Sequence, residues 1–167
     1  MTSGRHAITG IDGKESGLYY EAFAVPSKPP AYLMDLVSSG SEGTIGYKII
    51  DARSGRSLVY LPSIKHINTD VMTVLRSCDA FFFDGTCWSD DELMVVGLAQ
   101  KTSLSMGHIP ISGPAGSLVQ LAGLRDVRKI YTHLNNTNPL LIENSPQRQE
   151  VESAGWEVAF DGMDFEV

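Results

Sequence analysis

The stretch Ala80–Leu93, AFFFDGTCWSDDEL, decides how the rest of the chain is read. Its opening is a short, continuous apolar run that stops abruptly at Asp-Gly, the pattern of a strand closed by a turn. Ser89 follows, with Glu92 three residues later, the spacing of a capping box, so a helix is expected to start there. Strand, turn and helix in so few residues point to alternating elements, and the chain on either side agrees.

Upstream, NTDVMTVLRSCD carries helix-start oxygens at Asn68, Thr69 and Asp70, with Val71, Val74 and Leu75 on one face. Before it, TIGYKII and LVYLP read as two strands of a hairpin with Ser54-Gly55 at the tip, and GLYYEAFAV (Gly17–Val25) as another strand. PSKPPAY and SSGSEG (Ser38–Gly43) are loops, and residues 1–17 read as a flexible lead-in. Downstream, MGHIPISGPAGS is a Gly/Pro loop, a short helix begins near Ser117, and RKIYTHL is a strand. SPQRQEVESAGW is a helix capped by Ser145, opened by Pro146 and stopped by Gly155. WEVAF is a strand and DFEV a last strand fragment. The order predicts an α/β (α+β) single domain over 1–167: one mixed sheet with helices on one face.

Composition narrows the function. The chain has 167 residues, 43% of them apolar, enough for one real core. Its net charge of −7, from 13 basic and 20 acidic residues, offers no basic stripe for nucleic acid. No run approaches a membrane span, and MTSGRHAITGIDGKESG lacks the pattern of a signal peptide. Cys78 and Cys87 have no zinc-finger spacing and read as reduced thiols of a cytoplasmic protein. Cys78 belongs to the core, while Cys87, beside Trp88, is expected to be partly exposed.

Three residues then stand out. Asp84 closes the apolar strand, where a carboxylate is costly unless paired, hydrogen-bonded or bound to metal. Its alternative is an Asx-type turn with Gly85 or Thr86. His108 follows Gly107 in a loop that lets backbone approach closely. It is either a site residue or a histidine satisfied by a carbonyl. His133 leaves the strand RKIYT and is trailed by Asn135, Asn136, Thr137 and Asn138. Those amides either orient a ligand histidine through its second ring nitrogen or satisfy an irregular loop. The three lie at similar intervals, each past a strand or at a glycine turn. If the strands are neighbours, all three line one rim, and two imidazoles with a carboxylate suit iron or zinc. Asp90, Asp91 and Glu92 look like a metal cluster, but acidic residues in a first helical turn also complement the helix dipole, and that reading is preferred. His66 reads as a surface or capping residue, and His6 is given no role.

The segments FFFDGTCWSDDEL, MGHIPISGPAGSL, THLNNTNPLL and SPQRQEVESAGWEVAFDGM resemble the pyrroloquinoline quinone (PQQ) biosynthesis protein B family, from about Tyr19 to the C-terminus. That family belongs to the metallo-β-lactamase superfamily, whose fold is a four-layer αββα sandwich. The resemblance implies metal ligation by Asp84 and His133, with iron or zinc as cofactor. It places His108 at the site edge, as a catalytic acid or base or in support, with Asn135, Asn136 and Asn138 behind. It implies an iron-dependent hydroxylase acting on the tyrosine moiety of a peptide-derived PQQ precursor. The alternatives are a non-catalytic carrier in transport of the quinone or its precursor, with Lys101 and Arg128 offsetting the acidic surface, and an inactive remnant. Only the C-terminal half of the family is matched, so the chain reads as a truncated or split product. Half a sandwich leaves one apolar sheet face without its opposing sheet. The expected partners are a separate N-terminal half or a second copy; otherwise the chain is poorly soluble.

Overall fold

A computed structural model describes residues 4–28 and 44–167. Among these residues, seven strands form one sheet in sequence order. The first four, β1 (Arg5–Thr9), β2 (Glu15–Val25), β3 (Thr44–Asp51) and β4 (Ser57–Leu61), pair antiparallel. The last three, β5 (Ala80–Asp84), β6 (Arg128–Thr132) and β7 (Trp156–Val158), continue the sheet parallel to β4. Parallel neighbours need crossovers. α1 (Thr69–Arg76) makes the first, the short helices α2 (Glu92–Val95), α3 (Ser103–Met106) and α4 (Ser117–Gln120) lie in the second, and α5 (Pro146–Ser153) makes the third.

Local chemistry sets several boundaries as expected. The Asn68 side chain accepts from the Val71 N–H to cap α1, and Ser145 caps α5 by accepting from Arg148 N–H, with Pro146 at its first turn. The β3–β4 hairpin turns at Gly55, where φ is 74° and the N–H donates to the Asp51 carbonyl at 2.8 Å. Other boundaries differ. The lead-in carries β1, because Arg5, His6 and Ala7 pair in register with Glu21, Tyr20 and Tyr19. This is a local hairpin turned between Gly10 and Lys14, but β1 buries none of its residues fully and so lacks the apolar run that marks a strand. Helix α2 starts at Glu92 with Asp91 as its cap and no side-chain capping bond, so the Ser89 capping box does not form. The capping box is found instead at α3, between Thr102 and Ser105, just ahead of the Gly/Pro loop in a stretch assigned to no element. DFEV makes no strand. SSGSEG and most of PSKPPAY lie outside the described residues.

Strand alternation sorts the core. Val59, Leu61, Phe81, Phe83, Tyr131, Trp156 and Val158 point to one face, where they meet Val71 and Leu75 of α1, Leu121 at the end of α4, and Val151 of α5. Tyr131 stacks flat on Trp156 at 3.9 Å between ring centroids. The opposite face carries Tyr20, Tyr47, Ile49, Leu58, Tyr60 and Phe82, half-buried or exposed. Phe165 lies edge-on against Phe82 there, and the Arg128 guanidinium sits 4.8 Å over Phe165. The molecule is therefore a single mixed sheet with its helices and main core on one side. No helix among the described residues is long and apolar enough to cross a membrane.

Candidate metal centre

The site forms where the parallel strands end. β5 and β6 are neighbours, with Asp84 opposite Thr132. Asp84 closes β5 and His133 follows the last residue of β6, so adjacent strands deliver them side by side. Their carboxyl ends are also where α/β sheets place ligand sites. His108 arrives from the crossover loop after α3. Gly107 ends α3 in the left-handed region at φ 103°, and the His108 N–H donates back to the Ser103 carbonyl. Asp84, His108 and His133 bring potential ligand atoms within 4.8 Å of one another.

Asp84 has no exposed surface. Its Oδ1 accepts from the Thr86 N–H at 3.0 Å and the Thr86 hydroxyl at 2.6 Å. Its Oδ2 accepts from the Ile64 N–H at 2.9 Å and lies 2.8 Å from His108 Nδ1. Asp84 thus closes an Asx-type turn at Thr86 and also lies against the His108 imidazole. The His108 and His133 rings stack at 5.4 Å with a 24° tilt. His133, which is exposed, is held in the left-handed region at φ 58°.

The asparagines hold the loop backbone. Asn138 is buried; its Nδ2 donates to the Gly85 carbonyl at 2.7 Å, and its Oδ1 accepts from the Leu140 N–H. The Asn135 N–H donates to the Thr86 carbonyl, and its side chain donates to the Thr137 hydroxyl. Asn136 is exposed. Among the described residues, none of these amides hydrogen-bonds the His133 ring, so the expected orientation through the second ring nitrogen does not occur. An amide next to an irregular chain is better spent on buried backbone groups.

Two residues at the site escape a reading of the sequence. Thr86 is buried, and its hydroxyl lies 3.0 Å from His108 Nδ1 and 2.8 Å from His133 Nδ1 as well as against Asp84. The Asx-turn alternative for Asp84 was the one signal pointing at it. Glu92, read as a dipole-complementing acid, is buried. It accepts from the Trp88 N–H and from the Thr137 hydroxyl, clasping the loop after His133 to the loop after Asp84. Asp90 instead accepts from the Leu104 N–H at 2.8 Å, and Asp91 from the Ser89 hydroxyl.

Cys87 is also buried, not partly exposed, and burial pushes its thiol up to about 11, as it does for Cys78. Neither is an activated thiolate. Arg128 starts β6, at the opposite end from His133, and its guanidinium pairs with Glu157 at 2.6 Å, so it does not serve the site. His66 is exposed, and His6 stacks on Tyr20. An open groove of roughly 720 Å³ adjoins His133, lined in part by Leu134, Arg148, Phe160 and Asp161.

A family model described as beta-lactamase superfamily domain matches residues 4–134. Coenzyme PQQ synthesis protein B of Gluconobacter oxydans is 38% identical over 95% of this chain and 51% of its own length. The protein of that name from Cupriavidus necator is 43% identical over 89% of this chain and 48% of its own. The chain thus spans about half the length of the relatives it matches. The crystal structure of zinc-bound PqqB from Methylobacterium extorquens superposes with a TM-score of 0.83 at 38% identity, covering 90% of this chain and 51% of that one. A diphosphatase of the PhnP family, at 18% identity and a TM-score of 0.51, shares the fold.

Proposed function

The chain belongs to the metallo-β-lactamase superfamily and, over about half that protein's length, to its PqqB family. From that premise we propose that it serves coenzyme PQQ biosynthesis as the metal-bearing half of a hydroxylase acting on the tyrosine moiety of a Glu–Tyr-derived precursor. The observation that carries the reading is the convergence of Asp84, His108 and His133 at the ends of two adjacent parallel strands. Zinc in the crystal structure of the Methylobacterium relative supports it.

The donor set fits such an ion: one buried carboxylate and two imidazoles, the ligand types of open iron and zinc sites. Asp84 and His133 would hold the metal, and His108, in contact with Asp84, would hold or move a proton at the edge of the site. A bound iron would supply the redox chemistry of hydroxylation. The protein's own work is positional. β5 and β6 fix the spacing of Asp84 and His133, and the buried Glu92–Thr137 contact holds the loop that carries His133. The groove beside His133 would receive the phenol ring, with Phe160 and Leu134 on its wall.

Metal analysis tests the reading. Purified chain reconstituted with iron(II) or zinc is expected to retain about one equivalent after desalting, and Asp84→Asn or His133→Ala to lose it. Wild-type chain without stoichiometric metal would overturn the proposal.

A further inference from the structure

The Thr86 hydroxyl stands at the centre of the cluster, and hydrogen-bond arithmetic assigns its proton. A threonine hydroxyl has one hydrogen and two lone pairs, and an ionised carboxylate only accepts. At 2.6 Å from Asp84 Oδ1, Thr86 must donate there. Its lone pairs then face His108 Nδ1 at 3.0 Å and His133 Nδ1 at 2.8 Å. Both ring nitrogens must carry a hydrogen to make those contacts. The alternative would set nitrogen lone pairs against an oxygen with no hydrogen left to give. The second contact of His108 Nδ1, 2.8 Å from Asp84 Oδ2, demands the same hydrogen.

We infer that Thr86 is a positioning residue that locks His133, and together with Asp84 locks His108, as Nδ1–H tautomers. Each ring keeps its Nε2 lone pair for a metal or a proton. The hydroxyl relays the Asp84 charge to the two imidazoles, the role that carboxylates and carbonyls play behind metal-binding histidines. Thr86 is suited to this by burial, by the Asx-type turn that fixes its backbone to Asp84, and by the bond from the Asn135 N–H to its carbonyl. The choice of His133 Nε2 as ligand atom rests on the metal-centre reading, whereas the tautomer assignment does not.

The test uses the full chain with Thr86→Val, which keeps the shape and removes the hydroxyl, and Thr86→Ser, which keeps the hydroxyl. Long-range proton–nitrogen NMR of the metal-free wild type is expected to show Nδ1–H on both histidines. In Thr86→Val the His133 signal is expected to shift toward Nε2–H, and Thr86→Ser to restore it. Zinc affinity is expected to fall about 10–100-fold in Thr86→Val and to recover in Thr86→Ser. Nε2–H tautomers in the wild type would overturn the proposal even if the valine variant does not fold. So would unchanged tautomers and affinity in a folded Thr86→Val. A wild type that shows Nδ1–H tautomers but takes up no zinc would leave Thr86 in its role and remove the metal centre.

Discussion

His133 is a histidine in a backbone conformation that L-residues other than Asn and Gly enter at a cost of about 1–2 kcal/mol. The loop tolerates this because Glu92 and Asn138 anchor it just beyond His133, at Thr137 and at the Gly85 carbonyl. Asparagine accepts the same φ readily but reaches less far. His133→Asn is therefore expected to change the unfolding free energy by less than about 1 kcal/mol, since the lost Thr86 contact and the relieved backbone offset. Zinc binding is expected to fall more than about 100-fold. Urea unfolding and zinc titration on one preparation separate the two effects; a variant that binds zinc normally would remove His133 from the site. Asp84 teaches the same lesson from a buried position. A carboxylate with no exposed surface is kept by four polar contacts, and each contact also aligns a neighbour.

Among the elements, the β5 and β6 ends act as one unit. Gly85 lets them touch: a Cβ there would lie 2.9 Å from the Thr132 carbonyl oxygen and 3.1 Å from Tyr131 Cβ. Its N–H donates to that same carbonyl at 2.8 Å. Glu92, at the start of α2, completes the unit by binding the loop after β6. Glu92→Gln keeps the shape but removes the charge from both bonds and forces the Thr137 hydroxyl to turn from donor to acceptor. The expected cost is about 1–3 kcal/mol in urea unfolding, together with weaker zinc binding as the His133 loop loosens. Unchanged stability would mean that the Glu92 clasp carries no net energy.

At the scale of the whole molecule, helices among the described residues cover one side of the sheet and leave the other side without helices. Tyr47 and Tyr60 are 36% and 42% exposed on that open face, cross-strand neighbours of each other and flanked by Tyr20 and Phe82. Sheets of this kind pack face to face at about 10 Å, and an aromatic patch in water favours association. The chain is expected to pair with a second copy, or with a separate chain bearing the other half of the relatives' length, and otherwise to be poorly soluble. Light scattering at micromolar concentration checks this. A monodisperse, soluble monomer would count against it, and Tyr60→Lys with Tyr47→Lys is expected to shift any homodimer toward monomer.

The amino-acid sequence by itself determined much of the element order: the caps at Asn68 and Ser145, the Gly55 hairpin, and the apolar strand closed by Asp84. Those features rest on short-range chemistry, in which a few neighbouring residues decide a turn, a cap or a face. The segments around Asp84, His108 and His133 also singled out those three as candidates. Only the tertiary structure decided that the three meet, because strand adjacency depends on crossovers that sequence spacing does not encode. It alone revealed β1, whose half-exposed residues form no apolar run, and turned Glu92 from a helix-end charge into a buried clasp. It put Thr86 at the centre, since a hydroxyl becomes decisive only when a carboxylate and two imidazoles surround it in space.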